Sequence, residues 1–203
     1  MAIDDRLKAY EQKRDLGRTP EPSGGGTSAG AMPTFVIQKH DAQNLHYDFR
    51  LEVDGVLASW AVPKGPSTDP SVKRLAIHVE DHPLDYASFE GIIPEGMYGA
   101  GTVLVWDRGT YRNLMGEKAD PLSMQEAIEE GHVEVWLEGA KLKGGYALIQ
   151  MKGRGDKQWL LVKMKDDEAD ARRNPVSTEP NSVVSGATLE QIRDRIEKEE
   201  ASE

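Results

Sequence analysis

The 203-residue chain has no cysteine. Disulfides, thiolate metal sites and a cysteine nucleophile are therefore excluded, and His, Asp and Glu remain as the available metal ligands. Long apolar runs are missing too: none approaches the ~18 residues needed to span a bilayer. The N-terminus, Met1-Ala2-Ile3-Asp4-Asp5-Arg6, lacks the basic-then-apolar pattern of a secretion signal. The expectation is a cytoplasmic protein with no membrane partner. Basic charge is scarce, with 25 Lys and Arg against 35 Asp and Glu and a net charge of −10. Phosphate affinity comes largely from Lys and Arg, so this balance argues against tight, non-specific duplex binding. It leaves room for an enzyme that grips one strand end. The acidity is uneven: residues 166–203 carry −6, residues 31–165 carry −4, and residues 1–30 balance.

What the chain does have is a row of chemistry-bearing residues on an alternating strand. In Leu45-His46-Tyr47-Asp48-Phe49-Arg50-Leu51, the apolar residues share one face and His46, Asp48 and Arg50 share the other. Burial explains the first face and leaves the second unexplained. His40 lies six residues upstream. A second segment, Leu75-Ala76-Ile77-His78-Val79-Glu80-Asp81-His82-Pro83, puts Leu75, Ile77 and Val79 on an apolar face and His78 and Glu80 opposite. Pro83 is expected to end that strand and free His82 from the ladder. Four of the five histidines fall in the two acid-rich stretches 40–51 and 75–83.

A divalent metal that handles phosphate needs imidazole and carboxylate ligands with open positions. Arginine suits bidentate contact with phosphate oxygens, an extra histidine can serve as an acid, and Tyr86 could donate to a phosphate oxygen. A lone histidine would be a satisfied or solvated side chain; this alignment favours a site. The same residues also fit the two-His-one-carboxylate set of a non-haem Fe(II) oxygenase, with Arg50 holding a co-substrate carboxylate. Four glycines at 91–101 could form anion-binding backbone nests, although turns leading into a strand explain them as well. Trp60, Trp106, Trp136 and Trp159 sit in strand patterns and are expected in the core.

Strands are predicted at Thr34–His40, Leu45–Val53, Leu57–Val62, Lys73–Val79, Gly101–Arg108, His132–Leu137, Gly144–Met151 and Trp159–Lys163. Asp54-Gly55 predicts a type I′ hairpin. Helices are expected from Asp4 to Lys13, over Ser123–Glu130 with a capping box, and over Thr188–Glu199. Thr19–Gly30 reads as a flexible Pro/Gly/Ser linker. The fold class expected is mainly β: a compact antiparallel β-barrel of about eight strands with a few peripheral helices. Residues 1–30 are expected to form an arm and linker, 31–165 the barrel, and 166–203 an acidic extension with a peripheral helix, whose deletion after Asp167 should spare catalysis if it serves only solubility or a partner.

The runs Phe35–His40, Leu45–Leu51, Trp60–Ser67, His78–Tyr86 and Gly91–Gly101, in this order, resemble the 3′-phosphoesterase module of bacterial DNA ligase D, from about residue 9 to about 192. The resemblance implies a small barrel with a crescent groove and a Mn²⁺-dependent enzyme of DNA end joining. Such an enzyme removes a 3′-terminal ribonucleoside and then hydrolyses the 3′-phosphate to a hydroxyl. It implies His40, Asp48 and His82 as metal ligands, in a site that Co²⁺, Zn²⁺ or Fe²⁺ could also occupy. His46 and Arg50 would contact the scissile phosphate, Glu80 and Tyr86 would assist, and Gln38 and Lys64 would lie further out. Arg14, Asp15 and Glu21 match an arm the family uses. The partners implied are DNA 3′ ends and a separate ligase, polymerase or Ku-like end-binding protein. With neither polymerase nor ligase domain present, the chain is expected to be a stand-alone version or an excised module. A non-enzymatic end-binding adaptor is the other function class.

Overall fold

The Asp54-Gly55 hairpin forms as its sequence demands. Asp54 has φ 50° and Gly55 φ 87°, the paired positive values of a type I′ turn, and Val53 faces Val56 across it. The hairpin joins two strands of a sheet that closes on itself. In this computed structural model, which describes residues 2–26 and 30–200, the strands are β1 (Thr34–Asp41), β2 (Leu45–Val53), β3 (Val56–Val62), β4 (Lys73–Pro83), β5 (Gly91–Ile93), β6 (Gly101–Asn113), β7 (His132–Gly139), β8 (Lys143–Gln150) and β9 (Gln158–Lys163). The order β1-β2-β3-β4-β9-β8-β7-β6 is sealed by pairing of β6 with β1, every pair antiparallel. This is the expected mainly-β barrel of eight strands. The ninth, β5, pairs with the start of β6.

The helices are few: α1 (Ile3–Gln12), α2 (Met124–Glu130), α3 (Pro175–Thr178) and α4 (Leu189–Glu200). Ser123 and Glu126 form the expected capping box of α2. Thr188 and Gln191 exchange side-chain-to-backbone bonds at the start of α4. Of the expected linker, Thr27, Ser28 and Ala29 lie outside the described residues.

Two apolar clusters on opposite faces of the wall place the site. The first draws from all eight barrel strands, with Phe35, Phe49, Trp60, Ala76, Trp106, Val135, Leu148 and Trp159 among its members, and fills the barrel. The second holds Tyr10, Val36, Leu57, Tyr86, Phe89, Ile93, Val103 and Val105, and lies on the outer face beneath the N-terminal arm and the single-turn helix Leu84–Ser88. Strand alternation then fixes the rest. On β1, Phe35 and Ile37 point into the barrel, while Val36, Gln38 and His40 point outward. On β2, Tyr47, Phe49 and Leu51 point inward, while His46, Asp48 and Arg50 point outward.

Three local expectations are corrected. On β4 it is Ala76 that is buried, and Leu75 is exposed; His78 stacks on Trp60 at 4.9 Å and meets Trp159 edge-on at 5.8 Å. Alternation gives the two faces of a strand but not which faces inward. The strand also runs on to Pro83, and His82 stays in the ladder opposite Leu57. A bulge here sets Leu57 to Ser59 against His82 to Val79, and the missing amide of Pro83 is harmless at a strand end. Trp136 joins His132 and Glu134 on the outer face, donating Nε1–H to Glu138 and carrying Arg112 over its ring.

Candidate active site

The outward faces of β1 and β2 bring His40, His46 and Asp48 together. Their candidate ligand atoms lie within 4.8 Å of one another, the group of this kind found among the described residues. His40 Nδ1 is 3.6 Å from Asp48 Oδ2, and His46 Nε2 is 3.7 Å from Asp48 Oδ1. The other nitrogen of each ring faces a backbone carbonyl: His40 Nε2 lies 2.8 Å from the Gly99 oxygen, and His46 Nδ1 lies 2.9 Å from the Asn44 oxygen. A carbonyl only accepts, so each of those nitrogens carries the proton, and each ring in its neutral form turns a bare lone pair toward Asp48. Backbone carbonyls that fix the tautomer in this way are the outer shell of histidine metal ligands. The donor set therefore fits a divalent cation.

Asp48 is held as the carboxylate. Burial works to raise its pKa, but the Arg50 guanidinium and, in their protonated forms, His40 and His46 outweigh burial and keep it well below the usual carboxylate range. Arg50 Nη2 lies 3.2 Å from Asp48 Oδ2. Its Nε donates to Gln38 Oε1 at 2.8 Å, and its Nη1 lies 3.0 Å from His82 Nδ1. Gln38 is in turn tied down by donating to the carbonyls of Tyr86 and Phe89.

His82 joins this cluster to the arm. Its Nδ1 lies 2.9 Å from the Glu80 carbonyl and its Nε2 lies 3.1 Å from Arg14 Nη2. With Nδ1–H donating to the Glu80 carbonyl, Nε2 accepts from Arg14, and Arg50 Nη1 is then a close cationic neighbour of Nδ1 rather than its hydrogen-bond donor. Burial, reinforced by Arg50 and Arg14, pushes its pKa well below the ordinary value, so the ring is neutral. Arg14 Nε donates to Glu21 at 2.9 Å, and its Nη1 reaches Glu80 at 3.1 Å. Tyr86 donates its hydroxyl to the same Glu21 oxygen at 2.9 Å. Burial works to raise the Glu80 pKa, but Lys13 and Arg14 hold the carboxyl below its usual range.

A cavity of about 480 Å³ opens over the cluster. Arg14, His40, His46, Asp48, Arg50, Glu80, His82 and Tyr86 all line it. Gln38 and Glu21 are buried and bonded to members of that set. Asp15 and Lys64 are exposed and line no part of the cavity. The carbonyls of Asn44 and Gly99 are the contributors that residue-type reasoning missed, because a backbone oxygen has no signature in sequence. Lys13, which holds Glu80 at 2.8 Å, and Tyr98 in the cavity wall were missed as well. The glycine-rich segment does have a special backbone: a Cβ on Gly101 would lie 2.1 Å from the Asp41 carbonyl, and its φ is +143°. Only glycine lets this loop pass so close to β1.

A family model described as the DNA Ligase D 3′-phosphoesterase domain matches residues 38–150. The multifunctional non-homologous end joining protein LigD of Pseudomonas aeruginosa is 53% identical over 189 residues, covering 90% of this chain and 22% of that protein. The multifunctional non-homologous end joining DNA repair protein LigD of Mycobacterium tuberculosis is 47% identical over 167 residues, covering 82% of this chain and 21% of that protein. The chain thus spans about a fifth of the length of these curated relatives.

Proposed function

The chain belongs to the DNA ligase D 3′-phosphoesterase domain family, and from that premise we propose that it is a metal-dependent phosphoesterase of DNA 3′ ends. It would act in end joining by removing a 3′-terminal ribonucleoside, hydrolysing a 3′-phosphate to a hydroxyl, or both. The observation that carries the reading is the pair of tautomers: His40 and His46 each spend one N–H on a carbonyl and present the other nitrogen beside an ionised Asp48. An end-binding adaptor would need no such preorganisation.

In this reading His40, His46 and Asp48 hold the ion, proposed as Mn²⁺ with Co²⁺ and Zn²⁺ as competitors for the same donors. His82 is moved from the ligand set implied by the resemblance to the phosphate side, because both of its nitrogens have an arginine guanidinium within 3.1 Å. A bound divalent ion supplies Lewis-acid charge to a phosphate oxygen and lowers the pKa of a bound water. Everything else comes from the chain. Arg50 and Arg14 flank His82 and provide fixed positive charge where negative charge grows on the phosphoryl oxygens. Gln38 and Asp48 orient Arg50, and Glu21 and Glu80 orient Arg14, so little reorganisation remains at the moment of reaction. Tyr86 supports through Glu21. The proposed partners are DNA 3′ ends and a separate ligase, polymerase or Ku-like protein in the cytoplasm.

The test is a 5′-labelled primer–template ending in a 3′-phosphate or in one ribonucleotide, incubated with Mn²⁺. Conversion of phosphate to hydroxyl, or shortening to a phosphate end, is expected, with loss of both in EDTA and in Asp48→Ala. No product with any divalent metal, from a folded protein that still binds these ends, would favour the adaptor.

A further inference from the structure

Tyr98 differs from the other tyrosines of the site. Tyr10 and Tyr86 are buried, and their hydroxyls donate to the Pro22 carbonyl and to Glu21. Tyr98 is 47% exposed, yet it lines the same cavity as His40 and Asp48. Cations sit over its ring: Lys13 Nζ is 4.9 Å from the centroid, and the Arg14 guanidinium carbon is 5.2 Å away. Its place is fixed relative to the candidate metal ligands, because the next residue, Gly99, supplies the carbonyl that orients His40. Ala100 N–H closes the turn on the Met97 carbonyl at 3.2 Å. A single exposed aromatic is ordinary on a protein surface. One held open in the wall of a charged cavity, a residue away from the carbonyl that sets a ligand tautomer, is placed for a ligand with a flat face.

We propose that Tyr98 is the stacking platform for the base of the 3′-terminal nucleotide. The inference rests on the 3′-end reading above: with the phosphate at Arg14, Arg50 and the ligand cluster, the attached nucleoside must lie along the cavity wall. Stacking tolerates any base, as an enzyme that processes broken ends requires. It also adds to the affinity of a chain whose net charge of −10 disfavours extended contact with backbone phosphates.

The test is equilibrium binding in EDTA, where turnover stops, followed by fluorescence anisotropy. Two labelled primer–templates both end in a 3′-phosphate; in one, the terminal nucleotide keeps its base, and in the other it is abasic. Wild-type protein is expected to bind the abasic end more weakly, on the order of 10-fold. Tyr98→Ala should bind the base-bearing end as weakly as wild type binds the abasic one, with no further loss on the abasic end. Tyr98→Phe, which keeps the ring, should restore the discrimination. Wild-type affinity indifferent to the base, or a Tyr98→Ala loss that adds to the abasic loss, overturns the proposal. Discrimination without phosphoesterase activity would leave the stacking intact and defeat the hydrolysis reading. Absence of any binding would defeat both.

Discussion

His40 and Asp48 are not partners in the β1–β2 ladder, where His40 faces His46 and Asp48 faces Gln38, yet His40 Nδ1 lies 3.6 Å from the Asp48 carboxylate. They are diagonal neighbours on one face, within reach because both side chains point outward from adjacent strands. That diagonal gathers two imidazoles and a carboxylate without any loop having to close.

Removing any one member should therefore remove the metal. His40→Ala, His46→Ala and Asp48→Ala are expected to weaken Mn²⁺ binding by more than about 100-fold, beyond what loss of a supporting group costs. Titration calorimetry or Mn²⁺ paramagnetic resonance reads this directly. Wild-type affinity in His46→Ala would take His46 out of the proposed ligand set.

Arg50→Lys should fail although the charge is kept. One ammonium cannot reproduce the planar fork that meets Gln38, His82 and Asp48 at once. The expected loss in kcat is on the order of 100-fold, with Mn²⁺ affinity changed far less. Full activity would place the phosphate elsewhere. Arg50→Ala would leave Asp48 and Gln38 without their partner and should cost about 3–5 kcal/mol of stability in denaturant titration.

Stability should fall on acidification below about pH 6.5. Burial, then Arg50 and Arg14, lower the pKa of His82 well below 6.5, and burial lowers that of His78. The unfolded chain takes up protons through 6.5 while the folded chain does not, so stability is full above that pH and declines beneath it. Each histidine contributes up to ~1.4 kcal/mol per pH unit. His82→Gln should flatten the slope by about one proton. An unchanged slope would mean that His82 is protonated in the native state.

Truncation after Asp167 should destabilise the protein, because the tail packs against the barrel. Ile192 of α4 is fully buried in the barrel core cluster. Trp106 donates Nε1–H and Lys141 donates Nζ–H to the Glu179 carbonyl, and Ser182 donates its hydroxyl to Glu90. Arg193 meets Asp41 at 2.8 Å, beside His40. Ile192→Ala alone should cost about 2–5 kcal/mol in urea unfolding. Wild-type stability in the truncated chain would show that the barrel stands without this segment.

Strand alternation in the sequence determined most of the barrel and most of the residues at the site. Asp-Gly at 54–55 fixed a hairpin, and the period-2 rows at 45–51 set His46, Asp48 and Arg50 on one face, because a pleated strand leaves side chains no other choice. Where alternation is silent, only the tertiary structure decided. It turned Ala76 rather than Leu75 inward on β4, and it built the acidic tail into the barrel through Ile192. The roles of the histidines were decided the same way. His40 and His46 take their tautomers from carbonyls in two separate loops, and His82 takes its neutral state from burial between Arg50, 32 residues earlier, and Arg14, 68 residues earlier. A side chain's chemistry depends on what surrounds it in space. No local pattern of residues records which distant backbone oxygen or guanidinium will lie against a ring nitrogen.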